Sequence, residues 1–100
     1  MASAASTLKR ITLELAGNDA AIVMPDADVA KTAEDLFWAA FRNNGQVCIA
    51  TKRRYVHDYI YYDVKAALLA YAATVQIGDG SKQGSQIDPI NNRAQFERGA

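Results

Sequence analysis

The order of elements legible in this 100-residue sequence predicts an α/β fold, with helices flanking short, mostly parallel strands. Three observations carry that expectation. The segment Val29 to Arg42 repeats apolar residues at helical spacing. "AAIV" is an unbroken apolar run of strand length, and "KRRYVH" has the β-rich character of a second strand behind a charged entry. Half of the residues are hydrophobic, enough for one modest core. A chain this size makes one small domain, burying about 60 to 70% of its unfolded surface.

In chain order, the opening "MASAASTLKR" is rich in alanine and serine and has no acid before Glu14. That composition suits a mitochondrial presequence or a plain helix. The helix is the preferred reading, ending near Lys9 and Arg10, whose charges favour a helix C-terminus. "ITLEL" sets Ile11, Leu13 and Leu15 against Thr12 and Glu14, the alternation of a strand with one apolar face. "AGND" turns the chain, and "AAIV" reads as a buried parallel strand.

Asp26 and Asp28 are candidate caps for the clearest helix, on which Val29, Ala33, Leu36, Phe37, Ala40 and Phe41 share a face. Asn44-Gly45 stops it, because glycine enters the left-handed region without a Cβ penalty. Lys52 to His57 reads as a strand. Tyr61 to Val75 reads as a helix with Tyr61, Val64, Leu68, Tyr71 and Val75 on one stripe. "GDGSKQGS" is a connector without the spacing of a phosphate loop. "NNRAQFER" begins a last helix capped by Asn91 or Asn92.

Eleven basic and eleven acidic residues cancel, which gives no electrostatic reason to expect nucleic acid or an anionic membrane as partner. No apolar run approaches the roughly 20 residues that span a bilayer. One cysteine makes no internal disulfide, and a cytoplasmic protein is the expectation. One Cys and one His cannot close a structural zinc site, so no metal is expected.

Three residues are candidates for chemistry. Cys48 is either a small packed side chain or a nucleophile at a loop, following a helix-stop glycine and the polar residues Asn43, Asn44 and Gln46. Glu14 is either a solvent-facing strand residue or a general base beside the small-residue turn Ala16-Gly17. His57, next to Asp58, reads as plain surface. The basic run Lys52 to Arg54 reads as a solvated strand entry.

Read together, two stretches change that balance. "LELAGND" resembles the glutamate motif L-E-L-G-G-[KN] of the aldehyde dehydrogenase superfamily, and "FRNNGQVC" resembles its cysteine motif F-x-N-x-G-Q-x-C. Their order and spacing are also similar to the family's, as are "DAAIVMPDADV" and "RRYVHDYIYYDV" behind them, so the resemblance covers nearly the whole chain. It implies that Cys48 attacks an aldehyde carbonyl and that Glu14 activates the water that hydrolyses the thioester. It also implies that the backbone of Leu15 orients a nicotinamide cofactor, NAD or NADP, and that the Cys48 amide supplies half of an oxyanion hole. Asn44 and Gln46 would shape the loop. Ala16 and Asp88 depart from the family, which usually has glycine at both positions. An alanine forced to positive φ at 16 would cost roughly 1 kcal/mol.

The resemblance further implies that residues 1–100 are part of a catalytic domain, without the cofactor-binding domain. The partner expected is a small-molecule aldehyde, and the isolated chain is expected to turn over negligibly. The alternative is a non-catalytic, self-associating module: a homo-oligomer formed through exposed apolar faces, with the stripes of Val29 to Phe41 and Tyr61 to Val75 as contacts.

Overall fold

Asp28 opens the longest helix: its carboxylate accepts the backbone N–H of Lys31 at 2.9 Å, satisfying one of the donors that a helix start leaves unpaired. Of the two candidate caps, Asp28 is the one used. The computed structural model describes residues 2–99. It contains, in order, α1 (Ala2–Ala5), β1 (Asp19–Val23), α2 (Val29–Phe41), β2 (Thr51–Val56), α3 (Tyr61–Ala72) and α4 (Arg93–Gly99). The two strands pair in parallel, and α2 lies in the crossover between them, as parallel pairing requires.

The core forms where the helical stripes meet the sheet. Val23, Leu36, Ile60 and Val64 make one buried cluster, with Ala21, Val29, Val56 and Leu68 packed on it. Ala33, Phe37 and Ala40 are buried along the same face of α2. The ring of Phe37 meets those of Phe41, Trp38 and Tyr71 at 4.9, 5.2 and 5.5 Å between centroids. A polar chain closes this helix pair at its edge. The Trp38 indole N–H donates to the Tyr71 hydroxyl at 2.8 Å, and that hydroxyl donates to Glu34 at 3.2 Å. Buried indole and phenol groups need such partners.

Toward the C-terminus, a single bridge between Ile77 and Ile87 ties the ends of the glycine-rich loop. Within it, the N–H and hydroxyl of Ser81 donate to Asp79 and hold that carboxyl below its ordinary pKa. Asn92 is the residue that caps α4, accepting the Gln95 amide at 2.9 Å.

Four expectations need correction. The first helix stops at Ala5, short of Lys9 and Arg10, with Leu8 at φ 50° behind it. "ITLEL" is not a strand: residues 9–18 carry neither helix nor strand, since a strand exists only through ladder hydrogen bonds and no neighbour pairs with it among the described residues. "AAIV" is a parallel strand, but only Val23 is buried, and Ile22 is 74% exposed on its uncovered side. The α2 and α3 stripes, expected as contacts between copies, pack on each other through Leu36, Phe37, Val64 and Tyr71 and are mostly core, with Phe41 and Tyr61 left 46% and 43% exposed at their ends. Leu36 sits at the centre of this packing, and Leu36→Ala is expected to lower stability by about 2 to 4 kcal/mol, read from the urea midpoint.

Candidate active site

The register of the sheet decides what lies beside what. Asp19 pairs with Thr51, so the segments that lead into β1 and β2 run next to each other at the N-terminal edge of the sheet. One of these segments carries Glu14 and the other carries Cys48. They touch at Gly17: a Cβ placed there would overlap the Cys48 carbonyl oxygen and lie 2.8 Å from the carbonyl carbon. Only a glycine allows this approach. Just before it, Ala16 takes φ 63°, the conformation expected to favour glycine there. Behind it, Arg53 on β2 donates from Nη2 to the Asn18 carbonyl at 2.6 Å.

The Cys48 loop has its own supports. At the end of α2, three successive residues are left-handed: Asn43 at φ 51°, Asn44 at 58° and Gly45 at 71°. Asparagine tolerates this region better than most residues, and a Cβ at Gly45 would lie 2.9 Å from the Ala40 carbonyl oxygen. The Gln46 amide donates to the Asn43 carbonyl at 3.0 Å, and the Asn43 side-chain amide to the Gln46 carbonyl at 3.4 Å. The Lys52 ammonium donates to the Gly45 carbonyl at 2.8 Å. A turn closed by the Ala50 amide on the Val47 carbonyl, 3.0 Å, then presents Cys48 as an exposed free thiol.

Beside that turn lies a cavity of about 320 Å³, lined by Asp35, Trp38, Ala39 and Arg42 on the helix side and by Val47, Ile49 and Ala50 around the cysteine. Cys48 and Glu14 stand outside its walls. Both are exposed, and Leu15 is 81% exposed.

The remaining candidates have local duties. The His57 ring accepts the Tyr59 amide at 3.2 Å and caps the short turn Asp58–Ile60. Among the described residues no group of His, Cys, Asp or Glu could hold a metal ion. The basic run is not merely a solvated entry, because Lys52 and Arg53 pin the two loops. Asp88 sets its carboxylate against Gly80. Sequence reasoning passed over Gly17 as half of a turn, and over Trp38, Arg42, Val47 and Ile49. Their signals were adjacency to Cys48 and the i, i+4 spacing of Trp38 and Arg42 on one helix face.

Two exposed loops, one with a thiol and one with a carboxylate, held together by backbone contact, match the two motifs that resemble one family, and comparison with known proteins agrees. The sequence pattern of the aldehyde dehydrogenase family matches residues 1–100. The chain belongs to the aldehyde dehydrogenase family. It is 52% identical over 96 residues to a probable aldehyde dehydrogenase of a Pseudomonas species, a match covering 96% of this chain and 20% of that relative. Its fold is similar to that of succinate-semialdehyde dehydrogenase from Burkholderia pseudomallei, with a TM-score of 0.87, 36% identity, and coverage of 97% of this chain and 20% of that one. Aldehyde dehydrogenase C from Pseudomonas syringae, solved with NAD+ and octanal, gives a TM-score of 0.83 at 39% identity with the same coverage. The chain thus spans about a fifth of the length of these aldehyde dehydrogenases, and its α/β architecture is that of part of an aldehyde dehydrogenase domain.

The contact at Gly17 and the strain at Ala16 predict opposite effects for neighbouring substitutions. Gly17→Ala must push the Glu14 loop off Cys48 and is expected to cost about 1 to 3 kcal/mol. Ala16→Gly relieves a left-handed alanine and is expected to gain up to about 1 kcal/mol, both read by urea unfolding.

Proposed function

We propose that this chain carries the reacting pair of an NAD- or NADP-dependent aldehyde dehydrogenase, with Cys48 as nucleophile and Glu14 as general base. The observation that supports this reading is the seating of Gly17 on the Cys48 backbone, which brings the glutamate loop and the cysteine loop to one edge of the sheet. Residues 1–100 are read as part of a catalytic domain.

The chemistry follows from the groups present. The Cys48 thiolate adds to the aldehyde carbon, forming a C–S bond and an oxyanion. The backbone N–H of Cys48 would donate to that oxyanion, and such a donor is worth about 3 to 4 kcal/mol in a formed hole. The cofactor, when bound, accepts hydride from this carbon. Leu15, exposed in a segment outside the ladder, offers its backbone groups to hold the nicotinamide amide. Loss of hydride leaves a thioester on Cys48. Glu14 then takes a proton from water, the hydroxide adds to the thioester carbon, the C–S bond breaks, and the carboxylic acid leaves. An unpaired thiol suits a cytoplasmic setting.

Hydride transfer needs the cofactor held at near-attack distance, so the chain alone is expected to give negligible NAD(P)H. The test is a chimera in which this segment replaces the matching fifth of the Pseudomonas relative. Aldehyde-dependent NAD(P)H production is expected there, abolished by Cys48→Ser. Glu14→Gln is expected to leave the hydride burst and slow steady turnover at least 100-fold. Turnover that survives Cys48→Ser would overturn the reading.

A second reading, a self-associating module, is favoured by the uncovered side of β1, where Ile22 and, just past the strand, Met24 are 74% and 58% exposed and the strand has one neighbour among the described residues. It predicts concentration-dependent dimers in sedimentation that Ile22→Lys disperses, whereas a monodisperse monomer at moderate concentration would count against it.

A further inference from the structure

The pairing of β1 with β2 is irregular at one point: Asp19 faces Thr51, but the next residue, Ala20, faces Arg53. Lys52 is therefore an extra residue in β2, a bulge of the kind that re-aims side chains. The two cations at this point serve different loops. Lys52 holds the Gly45 carbonyl on the cysteine side, and Arg53 holds the Asn18 carbonyl on the glutamate side. Among the described residues, the Arg53 contact is the one hydrogen bond that reaches residues 10–18 from elsewhere in the chain. Without it, the glutamate loop rests on Cys48 only through the packing of Gly17.

We infer that Arg53 is a positioning residue, which fixes the Glu14 loop against the Cys48 loop through the Asn18 carbonyl. It acts through backbone and touches neither reacting group. This rests on the reading of Glu14 and Cys48 as a reacting pair, but its test measures geometry and does not need activity. An arginine suits the task because its long stem spans from strand to loop and its planar fork keeps one donor aimed.

The single cysteine makes the test direct. A nitroxide on Cys48 of the full chain broadens nearby amide signals, and reduction of the label restores them. Strong broadening is expected at Leu15, Ala16, Gly17 and Asn18. In Arg53→Met that attenuation should fall by half or more at these residues, while Ala21 and Val23 of β1 keep theirs. Arg53→Lys, which retains the charge and one donor, should recover part of it, and carries the test if the methionine variant unfolds. Absence of broadening in the parent chain, or equal broadening in the variants, overturns the inference. Loss that extends through β1 overturns it too, by assigning Arg53 to strand pairing. Failure of the chimera's activity would refute the catalytic reading and leave this result standing.

Discussion

Parallel strands cannot be joined by a tight turn, so pairing Asp19–Val23 with Thr51–Val56 obliges the chain to travel the length of α2 and back. That one constraint organises the rest. It brings the segments before each strand to the same edge of the sheet, although Glu14 and Cys48 lie far apart in sequence. It also sets α2 over the sheet with its apolar face inward, which is what buries Leu36 against Val23 and Val64. In open parallel sheets ligands more often meet the carboxyl ends of strands. Here the thiol and the carboxylate approach from the amino ends.

The helix pair supplies the rigidity that the loops lack. Phe37 is enclosed by three aromatic rings, and the Trp38, Tyr71 and Glu34 hydrogen bonds fix α3 against α2. From that fixed helix end the chain reverses through three left-handed residues. The two asparagines carry a strain there that Gly45 escapes, and such strain persists only where the surrounding structure holds it. Strain placed just before a thiol, on a firm base, aims the Cys48 turn in one direction. The wall of the adjacent cavity is made from the same helix end, so the Cys48 turn and the space beside it are set by one element.

What the sequence revealed follows the range of the forces involved. Helix α2 was legible, and its cap and that of α4 were each legible to within two residues, because periodicity and capping are local. β1 and β2 were legible as strands, yet their register was not, and the register carries the site. The role of Gly17 depends on a carbonyl 31 positions away, which no local pattern encodes. The left-handed run was foreseen at Gly45 alone, since asparagine is permissive rather than demanding there. The basic run looked like a solvated entry because charge in a strand has no meaning until the bulge shows where each side chain goes.

The failure of "ITLEL" as a strand is itself informative. Ile11, Leu13 and Leu15 alternate as though one face were to be covered, yet they stand 44%, 45% and 81% exposed. At about 25 cal/mol per Å² of apolar surface, three such side chains forgo several kcal/mol that a neighbouring strand would recover. Among the described residues no neighbour pairs with them. The pattern therefore encodes a burial that these residues do not provide for themselves. Glu14 sits within that segment, between Leu13 and Leu15, so its position in this chain depends on the Gly17 contact and the Arg53 hydrogen bond rather than on a ladder. A carboxylate held by two contacts keeps its direction of approach but not the sub-ångström placement that general-base catalysis demands. The sheet edge can thus bring the pair together, while the precision of their alignment depends on covering the apolar face beside Glu14.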